Sequence, residues 1–377
     1  MAARTQFHKL LLTKVRLLTE DSVGLTFLVP ENLADVYRFL PGQYLTLQGE
    51  VNGQQVRRPY SIASGTDQPS RLEVGIRRVD DGRFSSYANR LSAGIMMDVM
   101  TPQGQFTAEP VATAPGAHRN ILVVAAGSGI TPCLSIIKSL LVSDPASTFT
   151  LVFGNRSSEH VMFSDDIKAL KDRFTNRLSV VYVMSRESTG SPLLQGHIDS
   201  KRLAGFVDTG LLSASGWHAA YCCGPAAMMD EVVPWLSNLG LPEDAVHREL
   251  FVTPERQHEI PQADLYGGSA TPANTQAEAP ADDGRVPLTI YMDGVERQIS
   301  VRGKSETLLA AATRQGVDLP FSCAGGMCCT CRCKLLSGEV SMDANYSLAS
   351  WEVENGYVLA CQARALSESL EIDFDAT

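Results

Sequence analysis

The feature that most constrains this chain is the run CAGGMCCTCRC, residues 323–333, followed much later by a further cysteine at 361 in YVLACQ. It sets Cys323, Cys328 and Cys331 in a C-x4-C-x2-C array, so one tight loop can supply three thiols and a residue about thirty positions later the fourth. That spacing suits a [2Fe-2S] cluster, in which two sulfide-bridged irons each take two protein thiolates in tetrahedral geometry. Structural zinc, the alternative for clustered cysteines, is usually held by two short pairs such as C-x2-C rather than by three ligands in one loop and a distant fourth. Cys323, Cys328, Cys331 and Cys361 are therefore the expected metal ligands. Gly325 and Gly326 can take positive φ and allow close backbone approach, so that amide N–H groups point at the sulfurs. Cys329 and Cys333 are surplus: ligation through Cys329 would change the spacing to C-x5-C and C-x3-C, and both read as small, half-buried side chains.

The cysteine loop occupies only the tail of a chain of 377 residues, which is too long for one ordinary core and points to two or three domains. With 44% apolar and 20% charged residues, most of it can bury enough surface to offset the entropy of ordering. The net charge of -10 argues against a nucleic-acid binder, which needs a basic surface. The N-terminal MAARTQFHKLLLTKVRLL interrupts its apolar run with Thr13, Lys14 and Arg16 and reads as an alternating strand rather than a signal peptide. No stretch approaches the roughly 20 apolar residues that span a bilayer, so no membrane partner is expected. A cytoplasmic location follows, where clustered cysteines serve as metal or redox groups rather than disulfides.

Short alternating segments, Leu10 to Leu18 and Val23 to Val29, open a first domain, 1–112, that reads as a small antiparallel β-barrel. From Asn120 the pattern changes. An apolar run, Ile121 to Ala126, meets a glycine loop and then a segment with Cys133, Ile136, Ile137, Leu140 and Leu141 on one helical face. Strand-like runs recur at Thr148 to Phe153, Leu178 to Met184 and Trp217 to Cys222, with a helical pattern at Ile167, Leu170 and Phe174 behind Ser164 as N-cap. This alternation predicts a parallel α/β domain over 113–251. Residues 252–285 are rich in Pro, Ala, Gly and polar side chains and read as a linker. The last domain, 286–377, begins with an alternating hairpin turning at Asp293-Gly294, then a short helix capped by Ser305 and ended by Gly316, as in an α+β ferredoxin-type fold.

The first two domains carry further motifs. RRPYSIAS holds Arg58, Tyr60 and Ser61 in an R-x-Y-S pattern. PGQY, 41–44, precedes it; GRFSSY follows from Gly82, with Ser85 and Ser86 placed to open a helix beneath a phosphate, and Pro102, Gly104 and Phe106 form a P-x-G-x-F turn. GSGITP, 127–132, lies between strand and helix, where its amides can face a dinucleotide pyrophosphate, and CGP, 223–225, ends a later strand. Together these resemble the ferredoxin-NADP reductase superfamily. The resemblance implies that the barrel binds FAD, with Arg58 on the pyrophosphate, Tyr60 on the isoalloxazine, Ser61 near flavin N5, and Gly82, Ser85 and Ser86 at the phosphate. Each assignment is chemically apt: a guanidinium suits a diphosphate, an aromatic face suits a flat ring, and a small hydroxyl can hydrogen-bond N5 without blocking hydride arrival. It also implies NAD(P)H on Gly127, Gly129, Thr131 and Pro132, with Cys223 beside the transferring C4, flanked by Gly224 and Pro225, and with Glu249 and Phe251 close to the flavin. Phe251 is placed equally well to be a core residue, Cys222 reads as structural, and Arg77 reads as a solvated strand arginine at least as readily as a phosphate ligand. Arg156 in GNRS, with Ser185 and Arg186 in SRE, offers donors for a 2′-phosphate and favours NADPH over NADH, solvated loop arginines being the alternative reading. Ferredoxin-like loops commonly carry a small residue such as glycine where Cys329 stands.

The order FAD barrel, nucleotide domain, linker, ferredoxin domain is similar to that of the reductase components of phenylacetyl-CoA, steroid and aromatic oxygenases. It implies an NAD(P)H-dependent oxidoreductase that divides the hydride's electrons at FAD and delivers them singly through [2Fe-2S] to an oxygenase component, with a phenylacetyl-CoA-type diiron oxygenase favoured. Ser61, Thr131, Cys223 and Glu249 are the expected catalytic residues. A Rieske or steroid oxygenase, a hybrid-cluster protein or a P450 would be served by the same motifs. A non-enzymatic iron-sulfur redox-sensing module is the reading from another class, distinguished by failure to reduce cytochrome c with NAD(P)H.

Overall fold

The computed structural model describes residues 6–80, 82–108, 118–250, 285–348 and 350–376. These fall into two compact units, one of residues 6–48 and 60–250 and the other of 49–59 with the C-terminal domain.

The barrel is built from β1 (Phe7–Thr19), β2 (Ser22–Leu28), β3 (Tyr44–Val51), β4 (Gln54–Ser61), β5 (Arg71–Arg77), a short helix α1 (Arg83–Ala88) and β6 (Met96–Met100), in the order β4-β3-β6-β1-β2-β5. An antiparallel bridge from Ile62, just past β4, to Val74 on β5 brings the two edges of the sheet together. Closure removes the open edges that would otherwise invite pairing. The interior is filled by Leu10, Leu12, Leu25, Phe27, Leu45, Leu47 and Val99, all fully buried, as the period-2 alternation requires. Gly42 turns the chain beneath them at φ 98°, and a Cβ there would stand 2.0 Å from the backbone oxygen of Phe106, which explains the glycine in PGQY.

The nucleotide domain runs β7 (Arg119–Ala126), α2 (Ile130–Ser143), β8 (Ser147–Asn155), α3 (Ser164–Arg173), β9 (Leu178–Met184), α4 (Ser200–Asp208), β10 (Trp217–Gly224), α5 (Ala226–Asn238) and β11 (Val246–Leu250). Its strands are parallel in the order β11-β10-β7-β8-β9. Helices cover both faces, so the strands are nearly continuous apolar runs. On β10 the alternation sends Cys222 into one core, with Leu122, Val124 and Met228, and Cys223 into the other, with Val123, Ile136 and Ile137. The second of these cores also takes in Ala63, Phe106 and Ala108 from the barrel, so the two domains of this unit share apolar packing. Strand order reverses between β7 and β10, the place where open α/β sheets bind ligands.

The C-terminal domain consists of β12 (Val286–Met292), β13 (Val295–Val301), α6 (Leu308–Arg314), β14 (Arg332–Ser337), β15 (Val340–Met342), α7 (Ser350–Glu354), β16 (Tyr357–Leu359), β17 (Ala363–Ala365) and β18 (Leu370–Asp373). The sheet order is β13-β12-β18-β14-β16, with β12 and β18 parallel. Leu308, Leu309, Ala311 and Ala312 of α6 join Leu288, Ile290, Leu370 and Ile372 in its core. Asp293 and Gly294 turn the first hairpin, both at positive φ, and both their amides donate to the carboxylate of Asp375 at 2.9 and 2.8 Å.

Two caps differ from the sequence expectation. Ser164 is the first residue of α3 rather than its cap; Phe163 holds the N-cap position with left-handed backbone. Thr307, not Ser305, caps α6 by accepting the Ala310 amide at 3.2 Å, while Ser305 closes the preceding 3-10 turn. Phe251 and the linker over 252–284 lie outside the described residues, as does the expected boundary at 112–113. Among the described residues no helix is long and apolar enough to cross a membrane.

Replacing Gly42 with Ala combines a disfavoured φ with a collision against backbone, so a loss of about 2–4 kcal/mol in chemical denaturation of the flavin-containing unit is expected. A change within about 0.5 kcal/mol would show that the turn relaxes.

Candidate functional site

The glycine loop follows β7 and CGP ends β10, so adjacency of those strands sets the two motifs side by side, with Ala125 in register with Cys223. The contact is close. A Cβ on Gly129 would lie 2.2 Å from the carbonyl oxygen of Cys223, and one on Gly224 would lie 3.2 Å from the Ala126 Cβ. Gly129 therefore needs the smallest residue for packing, independently of any ligand, while a side chain on Gly224 would press on the end of Met228, 2.6 Å away. Gly127 opens the loop at φ 55°, and the Thr131 hydroxyl donates back to Ser128 O at 2.8 Å, fixing the start of α2.

Three expected catalytic groups converge here. The Ser61 hydroxyl, at the end of β4, donates to Glu249 Oε2 at 3.4 Å, and the Cys223 thiol faces the same oxygen at 3.9 Å. Burial pushes the Cys223 thiol well above its ordinary range and the Glu249 charge adds to the effect, so the sulfur stays protonated near neutral pH. Burial raises the Cys222 thiol to about 12 on the opposite face of the strand, where it meets only core. Tyr60 packs beside Phe84 at 5.8 Å between ring centroids, and the Arg58 guanidinium donates to the carbonyl of Arg57 at 2.7 Å.

Gly82 caps α1 with extended backbone. Ser85 is engaged inside the turn: its hydroxyl accepts the Val79 amide at 3.1 Å and donates to Gly82 O at 3.3 Å, so it staples the helix start, while Ser86 is only half-buried. Farther along the sheet edge, the amides of Ser185 and Arg186 donate to Asn155 O and Arg156 O at 2.9 and 2.8 Å. These bonds join the loops after β8 and β9 and bring Arg156 and Arg186 to one edge, both exposed.

Arg77 was undervalued by the sequence. It is not solvated: its Nη2 donates to His160 O at 2.8 Å, its Nε lies 3.5 Å from Asp21, and its Nη1 comes within 2.8 Å of where a Cβ on Gly127 would be. Burial and the charge of Arg156 both depress this guanidinium's pKa against the pull of Asp21. Cations from the barrel and the nucleotide domain thus meet at the glycine loop. No local motif marks this, because the partner residues are distant in sequence.

In the C-terminal domain the cysteine loop forms as spacing demands. Amides of Gly325 and Met327 donate to Cys323 Sγ at 3.3 and 3.4 Å, and the Cys323 amide donates to Cys328 Sγ at 3.4 Å. Positive φ falls on Ala324, Gly326 and Cys329 rather than on the Gly325-Gly326 pair. The conformation of Cys329, φ 53°, is the one glycine adopts freely, which accounts for small residues at this position in such loops. The four expected ligands sit as two pairs. Cys328 has the largest effect on the Cys323 thiol and Cys361 on the Cys331 thiol, each raising its partner, while the pairs feel each other's charge. Among the described residues no group of three or more His, Cys, Asp or Glu side chains is arranged to hold a single metal ion. Two thiol pairs fit two bridged irons, each taking two protein sulfurs. Burial works to raise Cys328, yet hydrogen bonds from Cys323 and Thr330 bring it down to about 6.

Sequence reasoning missed the residues that fasten the loop. Gln362, buried, donates through Nε2 to Ala324 O at 3.1 Å and to Cys361 O at 2.9 Å, tying the remote ligand to the loop. Ala360 N donates to Cys331 O at 3.0 Å. Arg332 lies 3.7 Å over the Tyr357 ring, and its Nε stands 2.9 Å from the fully buried Glu352, close but not aligned as a hydrogen bond. Cys333 is buried, with burial pushing its thiol far up, and it faces Val358 O rather than the other sulfurs.

Comparison with known proteins agrees with this division. Residues 9–108 match the oxidoreductase FAD-binding domain, 123–233 the oxidoreductase NAD-binding domain and 290–366 the 2Fe-2S iron-sulfur cluster binding domain. The chain is 40% identical over 373 residues to a subunit of the 1,2-phenylacetyl-CoA epoxidase of Escherichia coli, covering 99% of both chains. It is 31% identical to the ferredoxin reductase component of 3-ketosteroid-9-alpha-monooxygenase from Rhodococcus rhodochrous, covering 94% of this chain and 93% of the relative. The chain belongs to the oxygenase reductase family.

This reductase is accordingly an oxidoreductase with FAD-, NAD- and [2Fe-2S]-binding domains. Its fold is that of phthalate dioxygenase reductase, with a TM-score of 0.57 at 24% identity and 98% coverage of both chains. Cys328→Ser in the reductase is expected to lose bound iron and sulfide, whereas Cys329→Gly, at a backbone conformation glycine prefers, keeps the full complement. Iron and sulfide assays on the purified variants check this, and loss of iron in Cys329→Gly would reassign the ligand set.

Proposed function

We propose that this reductase draws a hydride from NADPH and delivers electrons singly to an oxygenase component of the phenylacetyl-CoA-epoxidising type, in the cytoplasm. The observation that carries the reading is the convergence of Ser61, Cys223 and Glu249 at the reversal point of the parallel sheet, in a chain that also pairs four thiols in its last domain. When bound, FAD accepts two electrons together and releases them one at a time, and the cluster carries one at a time.

The chain's own groups bind, orient and hold protons. The loop amides from Gly127 to Thr131, ahead of Pro132, take the dinucleotide, with Arg77 supplying a cation where Gly127 bares its backbone. Arg156, Ser185 and Arg186 form the basic edge suited to a 2′-phosphate, which supports NADPH. Gly224 and Pro225 keep the floor of the site thin beside Cys223. Its neutral thiol fills the place next to the nicotinamide without adding charge. Thr131 holds the loop end, and Ser61 and Glu249 share a hydrogen bond that can serve the flavin edge. Arg58, Tyr60, Gly82 and Ser86 hold the flavin nucleotide, with the Ser85 hydroxyl stapling the turn at Gly82. Cys323, Cys328, Cys331 and Cys361 hold the cluster, within domains drawn at 1–112, 113–251 and 286–377. The oxygenase assignment is supported by the 40% relative spanning nearly all of both chains. A reducing compartment keeps the thiols available to iron.

The test is a flavin, iron and sulfide assay on purified protein, followed by anaerobic titration with NADPH and NADH and reconstitution with candidate oxygenase components. Cys331→Ser is expected to abolish cluster-dependent cytochrome c reduction while sparing flavin-mediated ferricyanide reduction; equal loss of both contradicts the division of labour. Arg156→Ala is expected to lower kcat/KM for NADPH about tenfold relative to NADH, in keeping with one lost charge-assisted contact of about 1.4 kcal/mol. An unchanged ratio would place nucleotide discrimination elsewhere.

A further inference from the structure

Phe163 sits at the start of α3 with φ 57°, a left-handed conformation that L side chains with a large Cβ substituent disfavour. An observed strained residue calls for what holds it and what it holds. Its ring is buried and rests on the bare backbone of Gly75 in barrel strand β5: a Cβ there would lie 2.6 Å from Phe163 Cε2 and 2.8 Å from Thr131 Cγ2. Thus Phe163, the first turn of α2 and the barrel meet at one point.

Two cations flank the same ring, Arg16 Cζ at 5.3 Å and Lys138 Nζ at 5.8 Å from its centroid. Arg16, on β1, forks onto Glu73 at 2.7 and 3.2 Å and reaches Asp166 of α3 at 2.7 Å. Lys138, on α2, takes the other Asp166 oxygen at 2.8 Å. Gly24 makes room for the fork, since a Cβ there would stand 2.8 Å from Glu73 Oε1. The same face of α2 is joined to the barrel on either side of Lys138: Ser135 Oγ donates to Ser64 O at 2.7 Å, and Thr66 N donates to Ser139 Oγ at 3.0 Å. The four charged side chains are each mostly shielded from water, which strengthens the pairs relative to exposed ones.

We propose that Arg16, Asp166 and Phe163 are positioning residues for hydride transfer, latching α2, and Thr131 at its start, in register against the flavin barrel. The inference rests on the functional reading above. None of the three touches Ser61, Cys223 or Glu249, so they act through the helix. Hydride transfer needs the reacting atoms in near-attack geometry, and a misplacement of about 1 Å can cost roughly a hundredfold in rate.

The experiment compares FAD- and cluster-loaded wild type with Arg16→Met, Arg16→Lys, Gly75→Ala and Lys9→Met. It uses stopped-flow flavin reduction by NADPH and amide hydrogen exchange with and without flavin. Lys9→Met is the control, because it removes an exposed pair with Asp98 on the same strand β1. Arg16→Met is expected to slow flavin reduction at saturating NADPH at least tenfold with FAD, iron and sulfide contents unchanged. Amide exchange over residues 64–66 and 130–135 should quicken even in flavin-free protein. Arg16→Lys, which keeps the charge but not the fork, should recover part of the rate, and Lys9→Met should match wild type throughout. Gly75→Ala, which displaces Phe163 and Thr131 without touching a charge, should slow reduction similarly and covers the case in which Arg16→Met does not fold. Wild-type reduction and exchange in either Arg16→Met or Gly75→Ala overturns the latch, as does a lowered melting temperature with an unchanged rate. If wild-type protein is not reduced by any nicotinamide, the functional reading falls, and the exchange comparison alone decides whether the latch exists.

Discussion

The junction of the glycine loop with CGP depends on two backbones meeting with no side chain between them. Strands β7 and β10 lie next to each other at the point where sheet order reverses, and Gly129 rests almost on the carbonyl of Cys223. Any Cβ at that position would wedge the glycine loop away from CGP. The loop amides, the Cys223 thiol and, through β11, the Glu249 carboxylate then come together because the sheet brings their strand ends into line. Sequence-distant motifs become one site through parallel pairing alone.

The cluster loop solves a different problem. It must hold sulfurs close together before any metal screens them, and the chain does this with amide donors and with Gln362, which fastens Cys361 to the loop backbone. The strain of left-handed backbone at Ala324 and Cys329 is borne by a domain whose sheet and α6 are otherwise regular. The thiols pair two by two, in keeping with the family's two-iron cluster.

Much of this was readable in the chain. Strand periodicity placed β9 at the observed residues, and the Asp293-Gly294 turn was visible because positive φ at both central positions has a compositional signature. The cysteine array was readable because ligand spacing is a local property. What escaped was set by contacts between distant segments. Arg77 looks like any strand arginine until Gly127 and Arg156 are brought to it, and Arg16 looks like an interruption of an apolar run until Glu73 and Asp166 close around it. Phe163 displaced Ser164 from the cap of α3 because its ring is anchored in tertiary packing, which outweighs cap propensity. Ser85 was expected at a phosphate, and the structure shows its hydroxyl closing its own turn.

The chain has nine cysteines, and Cys133, Cys222, Cys223 and Cys333 are shut inside apolar cores. Burial keeps their sulfurs protonated. Cys331 and Cys361 are buried as well, so depth alone does not set the expected ligands apart from these four. Placement does: Gln362 ties Cys361 to the loop that carries Cys323, Cys328 and Cys331, so a thiol in this chain is marked by its neighbours rather than by its access to water.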